Sequence, residues 1–243
     1  MPIILQDSQP KIYLGDYEMS VGGDVPVITT TTAAADLTGY EAGDTSLGNG
    51  FTITNDSGTI AVDSATVGGV TYNGLKIGGA TTIQTLTNLS AAYPNLEFDL
   101  IITEYVSGDM RLISTGYTSD YALSVWVSSS TDYLNYVLSG AQILLDDSLV
   151  NAGGNDYYDP SITKASLLNN RLTVKYTYTN GFVILYVNGV AKAEWTLSSF
   201  NQYVSTDGLN IGANGAAGAT VLVTKAEYSG ETLTWDGRTW VPA

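Results

Sequence analysis

The sequence predicts an all-β protein, a sandwich of two antiparallel sheets, and three observations carry that prediction. The 17 Tyr, the 4 Trp and an abundance of Thr and Val suit pleated strands, while 26 Gly supply turns. Apolar and polar residues alternate along many short runs, and helical periodicity is almost absent. Turn signals separate these runs, a spacing that fits two facing layers. At 243 residues the chain matches one β domain with terminal extensions. A chain of this length buries roughly 70–75% of its unfolded surface, so its core needs no disulfide or metal.

The organisation expected is an N-terminal arm and linker over 1–45, a sandwich over 46–232 and an aromatic tail over 233–243. Lys11-Ile12-Tyr13-Leu14 is a short alternating run closed by Gly15-Asp16. The tract from Thr29 to Asp36 has no period and no large apolar residue, and reads as a linker. The first strand candidate spans Gly50 to Thr54, followed by Val70 to Ile77 with a kink at Gly74. Gln84 to Ala92 is read as a short helical or irregular connection.

Leu96 to Val106 is a long strand. Leu96, Phe98, Leu100, Ile102 and Val106 share one face; Glu97, Asp99, Ile101, Thr103 and Tyr105 share the other. Met110 to Ser114 and Tyr121 to Val127 follow as strands, and residues 151–160 read as a long polar loop. Arg171 to Thr179 is the clearest strand, ending at Asn180-Gly181, a two-residue hairpin signal requiring positive φ. Phe182 to Val187 returns, Asn188-Gly189 turns again, and Val190 to Leu197 follows. Gly208 to Ala213 and Thr220 to Tyr228 complete the run. Trp235 and Trp240 flank Asp236-Gly237, which suggests a small terminal hairpin or a tail docked by its aromatics.

Composition also narrows function. With no cysteine, thiol chemistry and disulfides are unavailable. With no histidine, the commonest general base and transition-metal ligand is missing. A net charge of −15 repels phosphate backbones and anionic membranes, so neither nucleic acid nor membrane is an expected partner. The segment MPIILQDSQP lacks a basic region ahead of an apolar one, and no apolar run approaches a membrane helix. Synthesis in a cytoplasm is therefore expected, and no cofactor is.

Four pieces in order carry a family resemblance: the strand LTVKYTY, the hairpin FVILYVNGVAKAEW, the short strand Leu209-Asn210-Ile211-Gly212, and VLVTKAEYSGETLT. Together they resemble the C-terminal half of laminin-G-like and concanavalin A-like lectin domains. That resemblance implies a jelly-roll of two curved sheets. Two terminal segments, KIYLGDYEMS and WDGRTWVP, resemble parts of tailed-phage structural proteins and imply a virion location.

Glu97-Phe98-Asp99 invites comparison with enzymes of the concanavalin A-like fold that carry two Glu and an Asp alternating on one strand. Glu97 and Asp99 share a face, but Ile101 stands where the second Glu should be, and Glu104 points away. On this ground no catalytic residue is assigned and the chain is expected not to be an enzyme. Calcium, which some laminin-G-like domains bind, would find loop carboxylates at Asp132, Asp146, Asp147, Asp156 and Asp159. No Asp-x-Asp-x-Asp-Gly loop is present, and no metal is expected.

Glycan recognition would use the aromatic and polar loop set Asp156, Tyr157, Tyr158 and Asp159, with Trp126 opposite the apolar face of its strand. Tyr is abundant all over the chain, so packing or inter-subunit contact is the favoured role for these rings. Ile12, Tyr13, Leu14, Trp235 and Trp240 are the partner-docking candidates, the arm adding a strand to a neighbour. The function expected is a non-enzymatic structural protein on the outer surface of a tailed-phage virion, as a head-decoration or tail-fibre component. It would contact other virion proteins and itself as a homo-oligomer, such as a trimer. The alternative is a carbohydrate-binding module or adhesin recognising host-surface glycans.

Overall fold

The computed structural model describes residues 11–14, 17–20, 27–55, 58–79, 81–84, 95–105, 108–115, 123–204, 208–214, 219–235 and 238–240. The strands in chain order are β1 (Lys11–Leu14), β2 (Tyr17–Ser20), β3 (Val27–Ala34), β4 (Thr52–Asn55), β5 (Thr59–Val67), β6 (Val70–Gly78) and β7 (Thr81–Gln84). Next come β8 (Asn95–Glu104), β9 (Met110–Thr115), β10 (Leu123–Val127), β11 (Tyr133–Leu138), β12 (Ile143–Leu144), β13 (Val150–Gly153) and β14 (Asp156–Thr163). A one-turn helix α1 (Lys164–Leu167) leads to β15 (Arg171–Thr179), β16 (Phe182–Val187) and β17 (Val190–Thr196). Helix α2 (Leu197–Val204), β18 (Leu209–Asn214), β19 (Thr220–Trp235) and β20 (Arg238–Trp240) finish the chain.

Two antiparallel sheets form a jelly-roll sandwich. One has eight strands in the order β13-β14-β11-β10-β9-β18-β7-β4. The other has ten: β12-β17-β16-β15-β8-β19-β6-β5, with β3 and β20 also on β19. Period-two alternation places Leu96, Phe98, Leu100 and Ile102 of β8 in the core, as expected. They are joined there by Leu172, Val174 and Tyr176 of β15, and by Ile113, Val125, Leu134 and Tyr136 of the eight-stranded sheet. Asn180-Gly181 and Asn188-Gly189 both adopt positive φ (53°, 86°; 49°, 80°), the geometry of two-residue hairpins.

β19 is the longest strand. Its first half lies between β6 and β8; its second half pairs with β3 from Glu227↔Ala34 to Thr234↔Val27, and its end pairs with β20. The irregularity between Val223 and Lys225 keeps the alternation in phase. Val221, Val223, Ala226 and Tyr228 are buried in the core, while Lys225 and Glu227 join ion pairs on the outward side.

Several expectations are corrected here. The tract read as a linker forms β3, held by eight register pairs with β19. Residues 151–160, read as a loop, belong to the hairpin β13–β14. β5 and β11 were not anticipated. Most of the connection expected over Gln84 to Ala92 lies outside the described residues, Gln84 itself ending β7.

Candidate functional site

The outward face of the eight-stranded sheet carries an unusual row. Cross-strand register places Arg111 (β9) beside Trp126 (β10), Trp126 beside Asn135 (β11), and Asn135 beside Tyr158 (β14). Neighbouring strands lie about 4.8 Å apart, so Trp126 and Tyr158 flank Asn135 across roughly 10 Å. A second row runs from Asn210 through Ser114 and Ser124 to Val137 and Asp156. Strand alternation explains both rows: Leu123, Val125 and Val127 turn into the core, which leaves Ser124 and Trp126 outward.

Ser114, Ser124, Asn135 and Asn210 point away from the core yet are all buried. The floor of this face is polar and buried, while Arg111, Trp126 and Tyr158 above it are half-buried. The Arg111 guanidinium lies 4.3 Å from the Trp126 ring centroid, and its Nη1 donates to Ser124 Oγ at 3.3 Å. Asn135 Nδ2 donates to Thr131 Oγ1 (3.1 Å) and to the Tyr133 carbonyl (2.5 Å). Tyr133 and Tyr158 stack with centroids 5.3 Å apart and planes at 13°. Trp126 Nε1 is buried and has no hydrogen-bond partner among the described residues. A buried donor without an acceptor is costly, which makes it a natural contact for an incoming polar ligand.

The candidate glycan set is thus divided. Trp126, Tyr158 and Asp156 share the outward face, with Asp156 exposed at its margin. Tyr157 is half-buried and packs against the core from the inner side. Asp159 is fully buried, its carboxylate accepting from Lys192 Nζ at 2.7 Å and from Ser161. Arg111, Asn135 and Tyr133 were missed by sequence reasoning; the signal available was the alternation that puts Ser124 with Trp126.

The outward face of the ten-stranded sheet carries Glu97 and Asp99. Lys225 Nζ lies 2.9 Å from Glu97 Oε1 and 2.6 Å from Glu227 Oε1, and Lys175 approaches Glu97 Oε2 at 3.6 Å. Partial burial raises the Glu97 pKa, but the hydrogen bonds and charges of Lys225 and Lys175 outweigh it and hold the carboxyl below its ordinary value. Asp99 pairs with Arg171 and accepts from Thr173 Oγ1 at 2.6 Å. Ile101, on the same face, is fully buried. Beside this ladder a shallow cavity of about 330 Å³ is lined by Thr173, Lys175, Thr177, Tyr186 and Gly189. Both carboxylates are engaged by cationic side chains, and Asp99 also accepts from the Thr173 hydroxyl.

Of the loop carboxylates, Asp132 pairs with Lys164, and Asp146 with Lys192. Among the described residues no three His, Cys, Asp or Glu side chains gather as a metal-holding group. Of the docking candidates, Ile12, Tyr13 and Leu14 lie in β1, which pairs only with β2 among the described strands. Trp235 ends β19 opposite Arg238, and Trp240 lies opposite Leu233 in the β19–β20 pair.

No protein-family model matches this sequence, and no curated protein matches it. Solved structures do match in fold. The alginate lyase AlyC3 is 11% identical with a TM-score of 0.43, covering 81% of this chain and 89% of the lyase. The Crh5 transglycosylase is 12% identical with a TM-score of 0.44, covering 85% and 93% respectively. The galectin LEC-6 of Caenorhabditis elegans is 13% identical with a TM-score of 0.31, covering 60% and 88%. At these identities the likeness is one of fold, a concanavalin A-like jelly-roll. It does correct one expectation. The chain was expected not to be an enzyme; the solved structures that share its fold include a lyase and a transglycosylase, and that expectation is withdrawn.

Proposed function

We propose that this chain is a glycan-binding module whose sugar docks on the outward face of the eight-stranded sheet. The observation supporting this is the row Arg111–Trp126–Asn135–Tyr158. It offers aromatic surface, one cation and an unpartnered indole N–H on a shielded polar floor. Sugars present both apolar C–H faces and hydroxyls that donate and accept, so they complement a face of this kind. A glycan array followed by titration calorimetry tests it. Trp126→Ala and Tyr158→Ala should each weaken binding tenfold or more, a loss of about 1.4 kcal/mol per tenfold. Tyr157→Ala, on the inner side, should weaken it far less. An array with no binder, or affinity that survives both outward substitutions, overturns the reading. Mass spectrometry of the bound glycan after incubation reports whether it is also cleaved.

The setting we propose is the outer surface of a tailed-phage virion, with the sandwich exposed and the terminal strands attached to other subunits. The terminal resemblances support it, as does the ladder of β3 and β20 on the distal half of β19. Analytical ultracentrifugation of the full chain, and of a chain lacking residues 1–26, should show an oligomer that the deletion dissolves. A full chain that is monomeric and has no affinity for virion proteins ends this reading.

A further inference from the structure

Lys192 is the most unusual charged group in the described residues. The β16–β17 register jumps from Leu185↔Ala193 to Tyr186↔Ala191, leaving Lys192 as the extra residue of a β-bulge. Bulges re-aim side chains, and this one sends Lys192 inward beside Ala193. Its side chain is 3% exposed. Its Nζ lies 2.7 Å from Asp159 Oδ2 and 2.5 Å from Asp146 Oδ2, in carboxylates 0% and 11% exposed. The Tyr136 hydroxyl is buried nearby with no partner among the described residues, and the charges of both aspartates bear on it.

This triad holds two negative charges and one positive charge out of water, an arrangement whose desolvation cost is hard to recover by pairing alone. Condensation would remove one charge of each sign. It would also replace a contact that is already made by a covalent bond, with the reacting groups held at an effective molarity of about 10⁵–10⁸ M.

We propose that Lys192 and Asp159 join in an amide cross-link, formed by the protein itself with Asp146 as proton carrier. In the ion pair neither partner reacts, because the ammonium has no lone pair and the carboxylate is a poor electrophile. Asp146 takes one proton from Nζ and passes it to the Asp159 carboxyl, giving an amine facing a neutral acid. The Nζ lone pair attacks Asp159 Cγ, and the new C–N bond forms as the C–O bond breaks. A second Nζ proton travels through Asp146 to the departing hydroxyl, which leaves as water. The balance is one ammonium and one carboxylate converted to one amide and one water, with no oxidant or co-reactant. The Tyr136 hydroxyl is a donor free to hold the oxygen that gains charge during attack. The bond would tie β14 of the eight-stranded sheet to β17 of the ten-stranded sheet, in a chain without cysteine for a disulfide.

Intact-mass spectrometry of the folded full chain tests this directly. The expected mass is that of the sequence less one water. Trypsin should then fail to cut after the acylated Lys192 and release peptide 112–164 joined to peptide 176–225, as the positions of Arg111, Lys164, Lys175, Lys192 and Lys225 dictate. Asp146→Ala, shown to be folded by circular dichroism, should regain the water and the cut. A folded wild-type chain with the full sequence mass and normal cleavage after Lys192 overturns the proposal. So does a lost water that maps elsewhere, such as Asp236-Gly237.

Discussion

Replacing Gly74 by alanine tests the packing of the ten-stranded sheet at one atom. A Cβ built there meets the Val223 carbonyl oxygen at 2.1 Å, its carbon at 2.9 Å and Thr224 Cα at 3.0 Å. All three atoms are main chain of β19, which pairs with β6 at Leu75↔Val223. Carbon atoms rest about 3.5–4.0 Å apart, so the strands must part by roughly 1 Å. No flexible side chain is there to yield. The φ at Gly74 is not left-handed, so alanine also gains about 0.4–1 kcal/mol by restricting the unfolded chain. Overpacking costs about 1–3 kcal/mol, and a main-chain clash belongs at the upper end. The net loss is about 2 kcal/mol, and at about 2–4 °C per kcal/mol for a chain of this size Tm should fall by about 4–8 °C. Thermal unfolding followed by circular dichroism measures it, with a urea titration to verify an unchanged slope. A Tm equal to or above that of the wild type would refute the close-approach argument.

Two further outcomes follow from the polar contacts. Because Lys225 and Lys175 depress the folded pKa of Glu97, its ion pairs contribute stability above the unfolded-state pKa, and that contribution is lost as pH falls through the folded value. Glu97→Gln should therefore cost about 0.5–1 kcal/mol at neutral pH and almost nothing in strong acid, by urea titration at both; an equal cost at both contradicts the assignment. Asn188 has a φ of 49°, and its Oδ1 accepts from Thr173 N at 3.0 Å. Asn188→Ala should cost about 1–2 kcal/mol in urea unfolding, and Asn188→Gly should recover the backbone part.

The region from Arg171 to Thr196 was legible because every signal agrees there. Its core residues alternate along β15 and β16, and each hairpin is marked by an Asn-Gly pair that only one turn geometry suits. β13 has no buried residue and β14 buries only Asp159, so neither shows the apolar rhythm that marks a strand. β5 is an edge strand with the same deficiency. β3 has only Thr and Ala after Ile28, and it is held by its register with β19, a partner far away in sequence. At the candidate site, alternation along Leu123–Val127 revealed which way Trp126 points. What it meets depends on register with β11 and β14, strands whose pairing no local pattern encodes. Asp159 was misjudged for a related reason: a polar residue at an inward position is intelligible only once the bulged Lys192 opposite it is known.

The shared use of β19 has a mechanical side. A pull applied at Trp235 runs along the strand into the middle of the ten-stranded sheet, where β8 lies alongside from Thr220 to Ser229. Such a load shears many ladder hydrogen bonds at once instead of peeling them one by one. A tether fastened through this end would hold the sandwich by its strongest seam, leaving the Trp126 face on the other sheet unstrained.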